Sequence, residues 1–128
     1  MSYRLLIVLY VLIGACSNPA TSQVEEITNQ QLTQLMENKE LQLVDVRTSE
    51  EVSQGIIEGA QNIDFRNPDF KSNISELDKK KPIAVYCGAG IRSGKAAAML
   101  QELGFEKIYD LTGGFNQWDA ENYPVAKP

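Results

Sequence analysis

The chain contains no histidine among its 128 residues. Imidazole is the usual general base at neutral pH, so its absence excludes the Ser–His–Asp and Cys–His catalytic schemes. Cysteine is scarce too, because only Cys16 and Cys87 are present. Zinc sites need several thiolates or imidazoles, so this composition predicts no metal site, and we expect no cofactor.

Positive charge is also in short supply. Lysine and arginine number 12 against 17 aspartates and glutamates, which gives a net charge of −5. Nucleic-acid-binding proteins neutralise phosphates with a basic surface, so this acidic chain is not expected to bind nucleic acid. The same charge gives no reason to expect attraction to anionic lipid head groups.

The one long apolar run lies at the N-terminus. Residues 5–13 follow Arg4 and are unbroken in their apolar character. A bilayer span needs about 20 apolar residues, so this run is too short and fits the core of a secretory signal. Gly14, Ala15 and Cys16 follow, and residues 13–16 resemble the bacterial lipobox, where cleavage precedes a cysteine that becomes lipidated. An ordinary signal peptide with an incidental Cys16 is the alternative.

These segments predict the organisation of the chain. Residues 1–15 are expected to be a lipoprotein-type signal peptide, residues 16–23 a flexible tether, and residues 24–128 one domain. Removal of residues 1–15 leaves 113 residues with 11 basic and 17 acidic side chains, hence a net charge of −6. The expected location is the bacterial cell envelope, lipid-anchored to a membrane through Cys16 and facing the periplasm or exterior. A lipidated Cys16 cannot pair with Cys87, which leaves Cys87 as the one free thiol.

Strands and helices alternate along residues 24–128. Predicted strands cover residues 24–27, 41–46, 60–63, 83–86 and 107–109, and predicted helices cover residues 28–37, 49–54, 68–77, 93–103 and 114–120. The first helix opens with the capping-box pattern of Thr28 and Gln31, and Gly104 ends the fourth. The alternation predicts an α/β fold with a mostly parallel central sheet and helices on both faces.

The segment around Cys87 carries the clearest chemical signal. A β-prone run, residues 83–86, leads into Cys87, and the residues before the next helix are Gly88, Ala89, Gly90, Ile91, Arg92 and Ser93. A thiol at a strand end and before a helix N-terminus faces backbone N–H groups and the positive end of the helix dipole. With the charge of Arg92, this field should lower the pKa of Cys87 and favour the nucleophilic thiolate. The alternatives are an inert buried cysteine and two glycines that serve a plain turn.

Four segments, in this order and spacing, carry a family resemblance. They are residues 43–47 with Glu50 and Glu51 after them, residues 55–63, residues 85–93 and residues 111–118. Together they resemble the rhodanese-like domains, the single-domain sulfurtransferases. The resemblance covers about residue 25 to the C-terminus and implies a rhodanese-like fold for residues 24–128.

The resemblance also implies a reaction. Cys87 would take the outer sulfur from a donor such as thiosulfate and pass the resulting persulfide sulfur to a thiophilic acceptor, cyanide or a thiol. The loop would bind the anionic donor, with Arg92 holding it and Ser93 capping the helix or steadying the loop. Asp45 would support the loop, and Arg47 would pair with a nearby acid, Glu51 or Glu58. A surface ion pair is the alternative for Arg47.

Two features of the sequence bear on this interpretation: the length of the loop between Cys87 and Arg92, and the residues at positions 55–60. Cysteine-dependent phosphatases place five residues between cysteine and arginine, whereas four lie between Cys87 and Arg92, and the smaller ring suits a sulfur atom better. Many rhodanese-like relatives read Gly-His-Ile-Pro-Gly-Ala where residues 55–60 read Gly-Ile-Ile-Glu-Gly-Ala, so the pocket entrance should differ. The alternative function is a non-catalytic exported module that carries sulfur or binds anions. A lone thiol outside the cytosol would also need a redox or thiol protein partner.

Overall fold

The computed structural model describes residues 22–128. The predicted signal peptide, residues 1–15, and the tether up to residue 21 lie outside the described residues. Within residues 22–128, no helix is both long and apolar enough to cross a membrane.

Seven strands and five helices follow one another along the described residues. The strands are β1 (Val24–Ile27), β2 (Gln42–Asp45), β3 (Ile56–Ile57), β4 (Gln61–Asn62), β5 (Ile83–Tyr86), β6 (Ile108–Leu111) and β7 (Val125–Ala126). The helices are α1 (Asn29–Leu35), α2 (Ser49–Val52), α3 (Phe70–Ser75), α4 (Ile91–Glu102) and α5 (Gly114–Ala120). Every predicted element is present, whereas β3 and β7 were not predicted.

The central sheet is parallel throughout. Its strand order is β1-β6-β5-β2-β4, and each neighbouring pair runs in the same direction. Strands β3 and β7 form a separate antiparallel pair, with Ile56 opposite Ala126. In a parallel sheet all strand ends of one kind meet at one edge, so the residues after β2, β5 and β6 converge there.

Helices cover both faces of the sheet, as the sequence predicts. Successive side chains of a strand point to opposite faces, and in β5 Val85 and Tyr86 accordingly belong to different cores. The Val85 core packs against α3 and α4 through Phe70 and Leu100. The other core includes α1 and α5, with the side chains of Leu32, Phe115 and Trp118.

Two short helices begin with capping boxes. Thr28 accepts from the Gln31 amide while the Gln31 side chain accepts from the Thr28 amide, as predicted. Thr48 and Glu51 make the same exchange at the start of α2. Helix α4 begins differently, after Gly90 in the left-handed region at φ 98°. This glycine lets the chain turn sharply from β5 into the longest helix described.

Candidate active site

Cys87 directly follows β5 and opens a tight turn that we call the Cys87 loop, residues 87–93. Cys87 is 1% exposed, and this burial alone would also fit an inert cysteine. The Gly90 amide, however, donates to Cys87 Sγ at 3.1 Å. A sulfur that receives N–H donors at the start of a helix is placed to carry negative charge.

Hydrogen bonding decides the ionisation of this thiol. Burial is the largest single effect and raises the pKa of Cys87, because the low-dielectric surroundings disfavour the thiolate. Hydrogen bonds from the Ser93 amide and hydroxyl and from the amides of Gly90 and Ala89 act in the opposite direction. Their combined effect exceeds the burial penalty, and the pKa of Cys87 lies below its ordinary value.

Ser93 steadies the Cys87 loop rather than capping the helix. Helix α4 starts at Ile91 with Gly90 as its N-cap, and no side chain caps its end, so the capping role predicted for Ser93 is wrong. The Ser93 hydroxyl instead donates to Gly90 O at 3.2 Å and accepts from the Cys87 thiol, whose Sγ lies 3.6 Å away. When the thiol is ionised, the same hydroxyl is the side-chain donor that stabilises the thiolate. The predicted alternative, a serine that holds the loop, agrees with these contacts.

Arg92 has a partner within the protein. Its Nη1 donates to Glu51 Oε1 at 2.6 Å and its Nη2 to Glu51 Oε2 at 2.9 Å. The sequence predicted Arg92 as a holder of anionic substrate and offered Glu51 as a partner of Arg47. Because Glu51 is the N3 residue of α2, its capping box directs the carboxylate toward the loop, which sequence reasoning missed.

Asp45 and Arg47 form a buried pair beside the loop. Arg47 Nη2 donates to Asp45 Oδ2 and to Gly55 O, each at 2.7 Å. The prediction that Arg47 pairs with Glu51 or Glu58 is therefore wrong, and so is the alternative of a surface ion pair. The guanidinium lies 3.9 Å from the centroid of the Phe115 ring, a cation–π distance. Within residues 22–128, no hydrogen bond joins the Asp45 side chain to residues 87–93, so Asp45 acts on the loop through Arg47 and Phe115.

The N-terminus of α5 holds the other side of the Cys87 loop. The Phe115 amide donates to Cys87 O at 2.7 Å, and the Asn116 amide donates to Gly88 O at 3.1 Å. Gly114, at φ 64°, brings the backbones together: a Cβ there would lie 2.7 Å from Cys87 O and closer still to Gly88 O. The Gly-Gly-Phe segment therefore fixes the loop backbone, a role that the sequence analysis did not assign to residues 113–115.

The entrance of the loop combines charged and apolar side chains. Ile91 is 73% exposed and Ala89 is exposed beside it. A Cβ built on Gly88 would lie 3.5 Å from Arg92 Nη2, 3.7 Å from Glu51 Oε2 and 3.8 Å from Asn116 Nδ2. The structure thus brings the predicted loop residues together with Glu51 and Asn116, two polar residues that the sequence analysis did not place at the entrance.

Comparison with known proteins agrees with this geometry. Residues 28–121 match the model of the rhodanese-like domain. The chain belongs to the rhodanese-like domain family. It is 37% identical over 101 residues to the thiosulfate sulfurtransferase GlpE of Shewanella oneidensis, covering 79% of this chain and 98% of that protein.

Two further similarities show the range of the family. The chain is 37% identical over 101 residues to a tRNA uridine(34) hydroxylase of Synechocystis, covering 76% of this chain but 36% of that protein. A rhodanese-related protein of Thermoplasma volcanium has a solved structure with a TM-score of 0.72 and 31% identity, covering 81% of this chain and 99% of that one. The rhodanese-like α/β fold predicted from the sequence is confirmed.

Proposed function

We propose that this rhodanese-like protein is a sulfurtransferase that carries sulfane sulfur as a persulfide on Cys87. The observation that carries the proposal is the set of N–H donors around Cys87 Sγ, with the Gly90 amide at 3.1 Å. They lower the pKa of the thiol and suit a sulfur anion. The name of the Shewanella oneidensis relative, a thiosulfate sulfurtransferase, supports the same class of reaction.

The reaction proceeds in two steps. The Cys87 thiolate attacks the outer sulfur of the donor, the donor's sulfur–sulfur bond breaks, and the leaving group departs with the electron pair. A second nucleophile, cyanide or a thiol, then attacks the outer sulfur of the persulfide and releases the Cys87 thiolate. Neither step needs a histidine, because the loop forms the thiolate electrostatically.

Each loop residue has a place in this scheme. The amides of Ala89, Gly90 and Ser93 stabilise negative charge on sulfur, and Gly88 and Gly90 allow the loop to close around it. Ile91 and Arg92 border the entrance. Asp45 and Arg47 position the loop indirectly, because Arg47 packs on Phe115, whose amide donates to Cys87 O.

Steady-state kinetics test this proposal. With cyanide as acceptor, thiocyanate formation should follow a double-displacement pattern, because the donor leaves before the acceptor binds. Cys87→Ser should lose at least about 99% of the activity, since a hydroxyl is a poor nucleophile for sulfane sulfur. Comparable activity of the serine variant would refute the role of Cys87, and sulfur loading without thiocyanate formation would favour a carrier function.

We also propose that the protein is an exported lipoprotein. Support comes from the sequence of residues 1–16 alone, in which a short apolar core is followed by Gly14, Ala15 and Cys16. Lipid on Cys16 would hold the domain at a membrane, and residues 17–23 would let it reach a thiol-bearing partner that removes the sulfur.

A further inference from the structure

The Arg92 guanidinium, the cation at the entrance of the Cys87 loop, is paired with a carboxylate of the same protein. Both terminal nitrogens of Arg92 donate to Glu51, at 2.6 and 2.9 Å. Paired N–H groups of this kind are what a guanidinium uses to clamp an oxyanion. The fork that would receive the oxygens of an anionic sulfur donor therefore already holds a carboxylate.

The ion pair lies next to the Cys87 loop, at the residue after the nucleophile. A Cβ on Gly88, the residue after the nucleophile, would lie 3.5 Å from Arg92 Nη2 and 3.7 Å from Glu51 Oε2. The Arg92 side chain is 19% exposed and the Glu51 side chain is 36% exposed, so the pair borders solvent at the entrance rather than a sealed core. Arg92 is also the one charged residue between Gly88 and Ser93.

The pair persists across the physiological pH range. Hydrogen bonds from Arg92 lower the pKa of Glu51 to about 2, against a smaller opposing effect of burial. Glu51 is therefore ionised at neutral pH, and the pair contributes no net charge to the site. The remaining attraction for an anion comes from backbone amides and the start of α4.

Two classes of sulfur donor differ in the negative charge that their reaction with the Cys87 thiolate brings together. Attack of the Cys87 thiolate on thiosulfate brings three negative charges together, and the products are a persulfide anion and sulfite dianion. Attack on a neutral alkyl persulfide, R–S–SH, brings one negative charge: the Cys87 Sγ–S bond forms, the sulfur–sulfur bond of the donor breaks, R–S⁻ leaves with the electron pair, and the proton stays on the transferred sulfur. Neither reaction requires an external oxidant or reductant.

We propose that Glu51 determines the donor specificity of the Cys87 site, disfavouring dianionic donors and leaving the site suited to alkyl persulfides. The inference rests on the sulfurtransferase function proposed above and names its substrate class. The apolar part of the entrance agrees with it, because the side chain of Ile91 in the Cys87 loop is 73% exposed and offers contact to an alkyl group rather than to an oxyanion.

The variant Glu51→Gln removes the charge while keeping the helix cap. Gln31 occupies the same N3 position in the capping box of α1, which shows that glutamine performs this role in the same protein. Glu50→Gln is the matched control, because Glu50 also lies in the first turn of α2, is exposed and carries the same charge. Circular dichroism of both variants checks that the fold is retained.

The experiment measures the second-order rate of Cys87 persulfide formation by intact mass, with thiosulfate and with the persulfide of 2-mercaptoethanol. The parent should load faster from the alkyl persulfide. Glu51→Gln should raise the thiosulfate rate by about tenfold or more, from the removal of one nearby repulsive charge, and change the alkyl persulfide rate less than about twofold. Glu50→Gln should leave the ratio of the two rates within about twofold of the parent.

Two results would overturn the inference: an unchanged rate ratio in Glu51→Gln, or a parent that loads faster from thiosulfate than from the alkyl persulfide. Failure of the sulfurtransferase function itself looks different. In that case neither donor would add sulfur to the parent, or Cys87→Ser would gain sulfur at the same rate.

Discussion

At the scale of single residues, the protein makes a reactive thiol without a base. The Gly90 amide and the Ser93 hydroxyl lie 3.1 and 3.6 Å from Cys87 Sγ. Hydrogen bonds from the Ser93 amide and hydroxyl and from the amides of Gly90 and Ala89 together outweigh burial, which alone would raise the pKa of Cys87. Hydrogen bonds to a charged group are stronger than neutral ones, so the thiolate gains more than the thiol from the same donors.

Removal of the Ser93 hydroxyl should therefore raise the pKa of Cys87. In Ser93→Ala the rate of iodoacetamide alkylation should show its inflection at higher pH than in the parent, and at pH 7 alkylation should slow by about three- to tenfold. The control is Ser72→Ala, because Ser72 likewise donates to a backbone carbonyl three residues earlier, in α3. An unchanged inflection in Ser93→Ala would show that the backbone amides alone set the ionisation.

Sequence reasoning identified the residues of the site better than their partners. One short segment, residues 87–92, contains Cys87, two glycines and Arg92, so the sequence alone predicts that they lie close together. The acid that pairs with Arg92 comes from α2, 41 positions earlier, and Arg47 selects Asp45 two residues away rather than Glu51 or Glu58. The carboxylate that Arg92 meets depends on how α2 packs against the Cys87 loop, and no local pattern encodes that contact.

At the scale of elements, the N-terminus of α5 determines the shape of the Cys87 loop. The amides of Phe115 and Asn116 donate to the carbonyls of Cys87 and Gly88, so hydrogen bonds join the two chain segments. Buried carbonyls need such partners. The approach is close enough that a side chain at Gly114 has no space.

Gly114→Ala should strongly destabilise the protein. The added Cβ meets backbone oxygens of Cys87 and Gly88, and φ 64° is costly for alanine, so we expect a loss of about 2–4 kcal/mol in the free energy of unfolding. Chemical denaturation measures it.

Gly113→Ala is the control for this change. Its φ is −69°, and the three atoms nearest to an added Cβ all belong to the Gln117 side chain, whose amide end is able to rotate away. We expect a loss below about 1 kcal/mol. Equal losses in the two variants would contradict the close-approach argument.

The sequence predicts long elements well and short ones poorly. The bounds of β1, β5 and α5 agree with prediction residue for residue, because apolar runs and glycines mark their ends. Strands β3 and β7 have two residues each and pair only with one another, Ile56 with Ala126 and Ile57 with Val125. Such a pair is created by tertiary contact and leaves no periodicity in the sequence.

At the scale of the whole molecule, an acidic protein contains one small site, the Cys87 loop, whose hydrogen-bond donors favour the thiolate form of Cys87. The net charge of −5 opposes the approach of dianions in general, and the Arg92–Glu51 pair removes the one loop cation that would counter it. Backbone amides do not depend on net charge, so they stabilise a thiolate in an acidic protein, and we expect the protein as a whole to discriminate against highly charged donors.

Attachment to a membrane is the other property of the whole molecule that experiment can decide. In a bacterial host, the parent should fractionate with membranes and carry the added mass of lipid on Cys16. Cys16→Ala should appear in the soluble fraction, since an acidic domain with no lipid has little affinity for anionic bilayers. Membrane association of the alanine variant would contradict the lipoprotein proposal.

The central claim is that Cys87 carries sulfur as a persulfide, and intact-mass analysis tests it most directly. The purified parent and Cys87→Ser are treated with the persulfide of 2-mercaptoethanol, separated from excess donor and then exposed to cyanide. We expect the parent alone to gain the mass of one sulfur atom and to lose it to cyanide as thiocyanate. A folded parent with a reduced Cys87 that gains no sulfur, or a serine variant that gains as much, would contradict it.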